Sequence, residues 1–359
     1  MNKKTIVHII YNLGRGGAET MLIATLKELT EYNNILVTLY SDNHFGNDLP
    51  CSKYICLDIK SLPLLPLYSF KLRKIIKDNK ADMVHSHLFW PTFLSRLSVP
   101  KKIPLITTIH AFIASSVEYK RWYISGLDKL SYRFRKNIII AVAKGALNEY
   151  FSFLKLKPYK SYSLYTFVDI RLFNDSNALP AEPSSDCKVI SVGALRIQKN
   201  HRYFVEAFKL LKDENIELHI YGEGPLQPAL QKSIDESNVK IILKGQVSNI
   251  HQIIGQYDVF SMCSTFEGFS LGVLEAMALQ RPLLLSDIPS FREQCEDTAV
   301  YFDLDNPADF AAKLKQLVAD KDRLSSLGLR ARQRALDNFT LDHYMKGLRS
   351  IYNEALSLQ

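Results

Sequence analysis

The stretch TIVHIIYNLGRGGAETMLIATLKELT, residues 5–30, reads as a strand, a glycine-rich turn and a helix in direct succession. Residues 5–11 are apolar and β-branched, which suits a buried strand. From residue 19 onward Met21, Leu22, Thr25, Leu26 and Leu29 fall on one stripe at helical spacing, as in a core-facing helix. The alternation continues outward. Strand-like runs occupy residues 35–40, 83–85, 105–110 and 138–142, with helical patterns between them, and this repetition predicts a parallel sheet. It breaks at FNDSNALPAEPSSD, residues 173–186, a polar linker candidate, and resumes at 188–193. Further strand-like runs follow at 217–221, 240–243, 259–262 and 282–285, with helical patterns at 201–212 and 272–279. The expectation is two α/β domains, 1–170 and 171–339, and a closing helix over 340–359 on which Leu341, Tyr344, Leu348 and Ile351 share a stripe.

With 359 residues, 47% hydrophobic and 23% charged, the composition is globular and excludes disorder, collagen-like repeats and coiled coil. No apolar run approaches the ~18 residues of a membrane-spanning helix, so any membrane contact is expected to be peripheral. Residues 1–11 imitate a signal peptide, but the apolar part is short and lacks a small-residue cleavage site. Five scattered cysteines (Cys51, Cys56, Cys187, Cys263, Cys295) show no metal-ligand spacing, which points to a reduced, cytoplasmic, zinc-free protein. Charge is uneven: residues 1–170 carry 24 Lys and Arg against 12 Asp and Glu, the remainder 21 against 25. A basic half attracts nucleic acid, an anionic membrane or a phosphorylated substrate, and charge alone does not choose.

Glycines at the turn 12–19, including Gly16 and Gly17, allow close approach of backbone to a ligand, and a helix start offers free N–H groups to an anion. The dinucleotide fingerprint Gly-x-Gly-x-x-Gly is not met, because Glu19 stands where its third small residue belongs, so a nicotinamide cofactor is disfavoured. A denser signal is STFEGFSLGVLEAMA, residues 264–278, just after a strand. If a helix starts near Ser270, Glu275 lies a turn inside it and Glu267 in the preceding loop, both facing one crevice at the strand's carboxyl end. The N–H groups of Phe269, Ser270 and Leu271 would then point at a diphosphate, while the carboxylates accept hydrogen bonds from sugar or ribose hydroxyls. The bland reading is a helix start with acidic residues complementing its dipole.

This run resembles the Glu-x7-Glu motif of glycosyltransferase family 4, and the resemblance spans nearly the whole chain. GALRIQKN, residues 193–200, is similar to the family's Gly-Arg-Leu…Lys-Gly/Asn loop, YGEGPL, residues 221–226, to its Gly-x-Gly-Pro turn, and Gly245-Gln246-Val247 to its next strand-end motif. Gly16-Gly17-Ala18-Glu19, Val168-Asp169 with Phe173, Arg281-Pro282, Asp287, Arg292-Glu293 and Tyr301-Phe302-Asp303 also match in order. The resemblance implies the GT-B fold: two facing Rossmann-like parallel-sheet domains, with a C-terminal helix crossing back to the first. It implies a retaining, metal-independent transfer from a UDP- or GDP-linked sugar, with no cofactor, the donor on the second domain and the acceptor on the first. Glu275 would hold the ribose, Glu267 the transferred sugar, backbone at Val247 the base, and Lys199 the diphosphate; Gly16 and Gly17 are further donor candidates. The family's arginine after the first glycine is Ala194 here, so either Arg196 substitutes or Lys199 and the helix end suffice. His110 stands where relatives show a cleft histidine and is the catalytic candidate beside Glu267, whereas His85 and His87 alone make no metal site.

Between residues 118 and 137, Lys120, Arg121, Lys129, Arg133, Arg135 and Lys136 interleave with Trp122, Tyr123, Tyr132 and Phe134, and Tyr123, Leu127, Leu130 and Phe134 form one helical stripe. Basic residues with interfacial aromatics suit an anionic bilayer presenting a lipid-linked acceptor. Nucleic acid is not expected, since no recognition motif accompanies the charge. The reading is a cytoplasmic, peripherally membrane-associated glycosyltransferase that builds a surface polysaccharide such as capsule, exopolysaccharide or lipopolysaccharide on a glycan or lipid-linked acceptor. The rival readings are a nucleotide-sugar epimerase of similar shape and a non-catalytic sugar-nucleotide binding protein.

Overall fold

A computed structural model describes residues 3–14, 16–61, 64–114, 116, 118–173, 187–247 and 249–357. Arg15 of the glycine-rich turn, and the linker candidate beyond Phe173, lie outside them. The chain divides into two compact units, Met1–Thr166 with Asp342–Gln359, and Phe167–Leu341.

Unit 1 holds strands β1 (Thr5–Ile10), β2 (Asn33–Thr38), β3 (Lys53–Cys56), β4 (Met83–His87), β5 (Leu105–Ile109), β6 (Ile138–Ala141) and β7 (Lys160–Ser163). They pair in parallel in the order β3-β2-β1-β4-β5-β6-β7. Helices α1 (Gly17–Glu28), α2 (Leu65–Asp78), α3 (Phe89–Ser98), α4 (Trp122–Phe134) and α5 (Lys144–Phe153) make the connections, and α3 packs between α2 and α4. Central strands β1, β4, β5 and β6 are buried throughout, and β1, β5 and β6 read as largely apolar, β-branched runs in the sequence. The outer strands β3 (KYIC) and β7 (KSYS) are short and partly exposed, and carry no such run. Strand β4 extends beyond the expected 83–85 to His87, because the alternating His85 and His87 are taken into the interior.

Unit 2 holds β8 (Cys187–Val192), β9 (Ile216–Tyr221), β10 (Ile241–Gly245), β11 (Val259–Met262), β12 (Leu283–Ser286) and β13 (Val300–Phe302), all parallel, in the order β10-β9-β8-β11-β12-β13. Its helices are α6 (Arg202–Phe208), α7 (Gln227–Ser237), α8 (Ile250–Ile253), α9 (Leu271–Ala278), α10 (Pro289–Cys295), α11 (Pro307–Ala319) and α12 (Lys321–Asn338). The final helix, α13 (Leu341–Ser357), packs on unit 1: Tyr352 reaches His85, and Arg349 binds the Glu31 carboxylate at 2.6 Å and the Glu28 carbonyl at 2.7 Å. In each sheet the strand order reverses once, at β1/β4 and at β8/β11. The crevice outside the carboxyl ends of the strands at such a reversal is where open parallel sheets bind ligands.

Candidate functional site

At the β8/β11 reversal two loops are zipped together. The amide of Thr265 donates to the Gln198 carbonyl at 2.9 Å, and Gln198 Nε2 donates to the Phe266 carbonyl at 2.9 Å. This brings Lys199, after β8, to Glu267, after β11: Nζ meets Oε1 at 2.7 Å, and Ser264 Oγ donates to the same oxygen at 2.6 Å. Gly193 makes room for the lysine stem, since a Cβ there would lie 3.1 Å from Lys199 Cε. The neighbouring turn is as tight. Gly222, at φ +136, sits where a side chain would collide with the Gly193 carbonyl, while Leu195 N donates to the Glu223 carbonyl at 3.0 Å. The Gly-x-Gly-Pro run therefore braces the lysine's loop, and Val247 lies half-buried beyond the end of β10.

Ser270 caps α9 by accepting the Val273 amide at 3.4 Å. Its own amide is committed to Gln294 Oε1 at 3.0 Å, and Gln294 Nε2 returns a bond to the Ser270 carbonyl at 2.9 Å. The expectation that the Ser270 N–H faces a diphosphate is thereby corrected: among the described residues, the amides of Leu271 and Gly272 are the donors left open at this helix start. Phe269 packs edge-on against Phe339, 5.0 Å between centroids. Glu275 lies one turn into α9, and burial pushes its carboxyl up to about 7. Arg196 is exposed and lines a different groove, between α6 and α7, with Arg202 and Lys232, leaving Lys199 as the cation beside Glu267.

In unit 1 the β1/β4 reversal carries the glycine-rich turn. The Glu19 carboxylate fills the space that a Cβ on Gly16 would take, and burial raises its pKa, so the start of α1 already faces an acidic group of its own chain. A bound diphosphate beside Gly16 and Gly17 would meet that group rather than an empty anion site. His110 follows β5 and lines a small cavity of about 80 Å³ with Thr108, Glu118 and Tyr119. Its Nε2 lies 3.1 Å from His87 Nδ1; His85 stacks 4.3 Å from His87 and is held by the Tyr352 hydroxyl at 2.6 Å and Thr108 Oγ1 at 2.8 Å. Burial pushes His110 and His8 down to about 4 and the two others well below the ordinary value, so the whole group is neutral near pH 7. His8, His85 and His87 each place a nitrogen within 4.8 Å of the others, but both His85 nitrogens are engaged and, among the described residues, no carboxylate or thiolate joins them to balance a divalent charge.

Helix α4 settles which way its residues face and corrects one expectation. Its buried residues are Ile124, Asp128, Ser131 and Tyr132, and the stripe read from the sequence turns outward at Leu130 and Phe134, each 67% exposed. The reason is electrostatic. Asp128 faces inward to pair with Arg96 of α3, whose guanidinium also reaches Asn137 at 3.0 Å and Tyr150 at 3.1 Å; Tyr119 and Tyr150 donate to the same carboxylate. Arg135 is the correction: its guanidinium donates to the carbonyls of Ile103 at 2.7 Å and Lys136 at 3.0 Å, so it fastens a loop instead of offering a free charge. Trp122, 87% exposed, stands outward among Lys120, Arg121 and Arg133, with the partly buried Lys129 and exposed Lys136 further along. The sequence reading gave Glu19 no role and missed Gln294 and the Arg96–Asp128 pair. For Gln294 no local signal exists, since its partner Ser270 lies 24 residues away.

Residues 15–172 match the family described as Glycosyltransferase Family 4, and residues 186–320 match Glycosyl transferases group 1. The N-acetylgalactosamine-N,N'-diacetylbacillosaminyl-diphospho-undecaprenol 4-alpha-N-acetylgalactosaminyltransferase of Campylobacter jejuni is 26% identical over 345 residues, covering 91% of this chain and 93% of its own. The capsular polysaccharide biosynthesis glycosyltransferase CapH of Staphylococcus aureus is 25% identical over 345 residues, covering 89% and 92%. Among solved structures, HepE of Anabaena in complex with UDP and glucose is similar with a TM-score of 0.82 at 14% identity, over 97% of this chain and 99% of that one. With two parallel sheets of Rossmann type and both matches falling in order along the chain, the protein is a glycosyltransferase of GT-B fold and belongs to glycosyltransferase family 4.

Proposed function

We propose that the protein transfers a sugar from a UDP- or GDP-linked donor to a glycan acceptor, carried on a lipid, in the assembly of a surface polysaccharide. The observation that carries this reading is the Lys199–Glu267–Ser264 cluster at the β8/β11 reversal, beside the open start of α9 and the desolvated Glu275. The relatives' names support the acceptor: an undecaprenol-diphosphate glycan for the Campylobacter enzyme, capsule for CapH. In this reading the diphosphate takes Lys199 and the Leu271 and Gly272 amides, as charge-assisted partners. Glu275 accepts from the ribose hydroxyls, Glu267 from the transferred sugar, and backbone around Val247 frames the base. In unit 1 neutral His110 bonds a substrate hydroxyl, and Glu19 by Gly16 and Gly17 serves hydroxyls rather than phosphate.

The transfer proceeds with retention and without a metal. The C1–O bond to the diphosphate breaks, the acceptor oxygen forms its bond to C1 on the same face, and its proton passes to the departing diphosphate oxygen. Glu267, already tied to a lysine and a serine, has no need to act as a nucleophile on this route. The phosphate-binding part of the site is one cation, Lys199, with two neutral amides, so loss of the cation is simple to measure. UDP or GDP at about 100 times its Kd is expected to add about 2.7 kcal/mol, a melting-temperature rise of roughly 5–10 °C. Lys199→Ala is expected to weaken that nucleotide by about 10- to 100-fold, the worth of one charged hydrogen bond. An unchanged affinity in the variant would remove the diphosphate from Lys199, and no shift with any of UDP, GDP, CMP, ADP or their sugars would remove the donor reading.

The enzyme works peripherally at the cytoplasmic face of the membrane, docked through α4. Among the described residues no helix is long and apolar enough to cross a membrane, while Trp122, Leu130 and Phe134 stand outward beside Lys120, Arg121, Lys129, Arg133 and Lys136. Trp122→Ser with Phe134→Ser is expected to lower partitioning onto vesicles at least tenfold, each large aromatic burying roughly 1.5–3 kcal/mol of apolar surface. Equal sedimentation of variant and parent with vesicles would defeat docking through α4.

A further inference from the structure

The Lys199–Glu267 cluster and His110 follow the carboxyl ends of their strands. At the opposite, amino-terminal edge of the unit 1 sheet, the loops entering β4 and β5 enclose a groove of about 830 Å³ lined by Arg73, Lys77, Lys80, Lys101, Lys102 and Asp82. Five cations face one carboxylate, and that carboxylate is engaged, Asp82 receiving Lys4 Nζ at 2.9 Å and the Thr5 amide at 2.8 Å. Arg73 Nε donates to the Ser98 carbonyl at 3.1 Å. Lys77, Lys80, Lys101 and Lys102 have no ion-pair partner among the described residues. The carbonyl end of α2 accounts for the first two, since lysine there complements the helix dipole. It does not account for Lys101 and Lys102, which lie across the groove on another loop.

Two details fix the walls of the groove. Lys80 occupies the left-handed position that closes α2, φ +50, with Lys80 N bonded to the Lys77 carbonyl and Ala81 N to the Ile76 carbonyl at 3.0 Å each. Glycine is the usual residue in that motif, and a side chain there is held against a backbone penalty. The loop with Lys101 and Lys102 is fixed in turn by the Arg135 guanidinium on the Ile103 and Pro100 carbonyls. Arg135 follows Phe134 directly, so the groove adjoins the outward apolar end of α4, and α2, which supplies one wall of the groove, exposes Phe70 at 70%.

We infer that this groove binds the phosphate of an anionic phospholipid headgroup when the protein lies on the membrane. The inference rests on the docking reading above and adds to it a site with its own residues: α4 supplies apolar insertion, the groove supplies preference for anionic lipid. Each lysine near an anionic surface contributes about fivefold in partitioning, so Lys77→Gln, Lys101→Gln and Lys102→Gln together are expected to weaken binding to phosphatidylglycerol vesicles by about 100-fold. Sedimentation of the full chain with phosphatidylglycerol and with pure phosphatidylcholine vesicles reads this out. The triple variant should lose about 100-fold of the difference between the two lipids, the α4 cations retaining the remainder, and keep its weak binding to phosphatidylcholine, whereas the Trp122 and Phe134 variant should lose the latter and keep the difference. Undiminished binding of the triple variant to phosphatidylglycerol overturns the site. So does an equal loss on neutralising Lys212, Lys244 and Lys321, exposed lysines of unit 2, because the effect is then one of net charge. If the parent ignores both lipids yet inorganic phosphate raises its melting temperature and the triple variant abolishes that rise, the ligand is a soluble phosphate and the lipid assignment falls. Failure of the α4 variant alone, with the groove's lipid preference intact, overturns the α4 docking and not the groove.

Discussion

Glu275→Ala is expected to weaken nucleotide-sugar binding about 100-fold while leaving the fold in place, since two hydrogen bonds from a ribose to a carboxylate are together worth about 3 kcal/mol. Alanine suits the α9 interior, and no side-chain partner of Glu275 is orphaned by the change. The pH dependence gives the assignment its signature. Burial raises this carboxyl from the ordinary 4.5 to about 7, so below pH 7 the free protein carries it protonated. A ribose diol that donates to it favours the ionised form, and binding then releases a proton. Donor affinity should therefore be level above pH 7 and fall about tenfold per pH unit below it. Calorimetry in buffers of different ionisation enthalpy measures the released proton directly, and Glu275→Gln should abolish both the release and the slope. A raised carboxyl also costs the ligand-free protein stability as pH climbs from 4.5 through 7, so the glutamine variant without ligand should melt higher than the parent at pH 8. A parent whose affinity is flat from pH 5.5 to 8 would take the ribose away from Glu275.

Asp128→Ala should be the most destabilising single change in unit 1, by about 3–5 kcal/mol. It leaves the Arg96 guanidinium, wholly buried, facing Asn137, Ser131 and Tyr150 with no negative charge. Burial by itself opposes the arginine's charge, and Tyr150 and Asp128 more than offset that, which is why the group stays ionised in the parent. The predicted loss corresponds to roughly 10 °C in the melting temperature of a unit of this size. Replacing both partners with apolar residues, Arg96→Met with Asp128→Leu, should cost less than the single change, because no charge is then stranded. Equal loss in the single and double variants would show that packing, not the ion pair, holds α3 to α4.

The contrast between the two reversals explains what could be read from the sequence. At β8/β11 the chemistry is contiguous: Ser264, Glu267, Ser270 and Glu275 fall within one short run, so spacing alone puts Glu267 in the loop before α9 and Glu275 one turn inside it. At β1/β4 the histidines come from strands that meet only through sheet register, His8 opposite His85, and Tyr352 arrives from the far end of the chain. No local pattern announces such a meeting. The inward face of α4 is illegible for a related reason, since hydrophobic periodicity assumes that polar residues face water, and Asp128 is inside because Arg96 is. Arg135 looked like its neighbours until its carbonyl partners, 32 and 35 residues earlier, came into view. Strands β3 and β7 escaped because an edge strand of four residues needs only half an apolar face.

Helix α13 gives unit 1 a property of a different kind. Its residues emerge from the ribosome after all of unit 2, yet they cover the sheet and supply the hydroxyl that satisfies His85. The first half of the chain is thus synthesised as an unfinished domain with a buried imidazole awaiting its partner, while unit 2 is contiguous and can close as soon as it is made. Pulse-labelled ribosome-bound chains should show protease resistance in residues 187–340 before residues 3–166 acquire it, and removing residues 342–357 should leave the earlier half permanently in its protease-sensitive, chaperone-bound form.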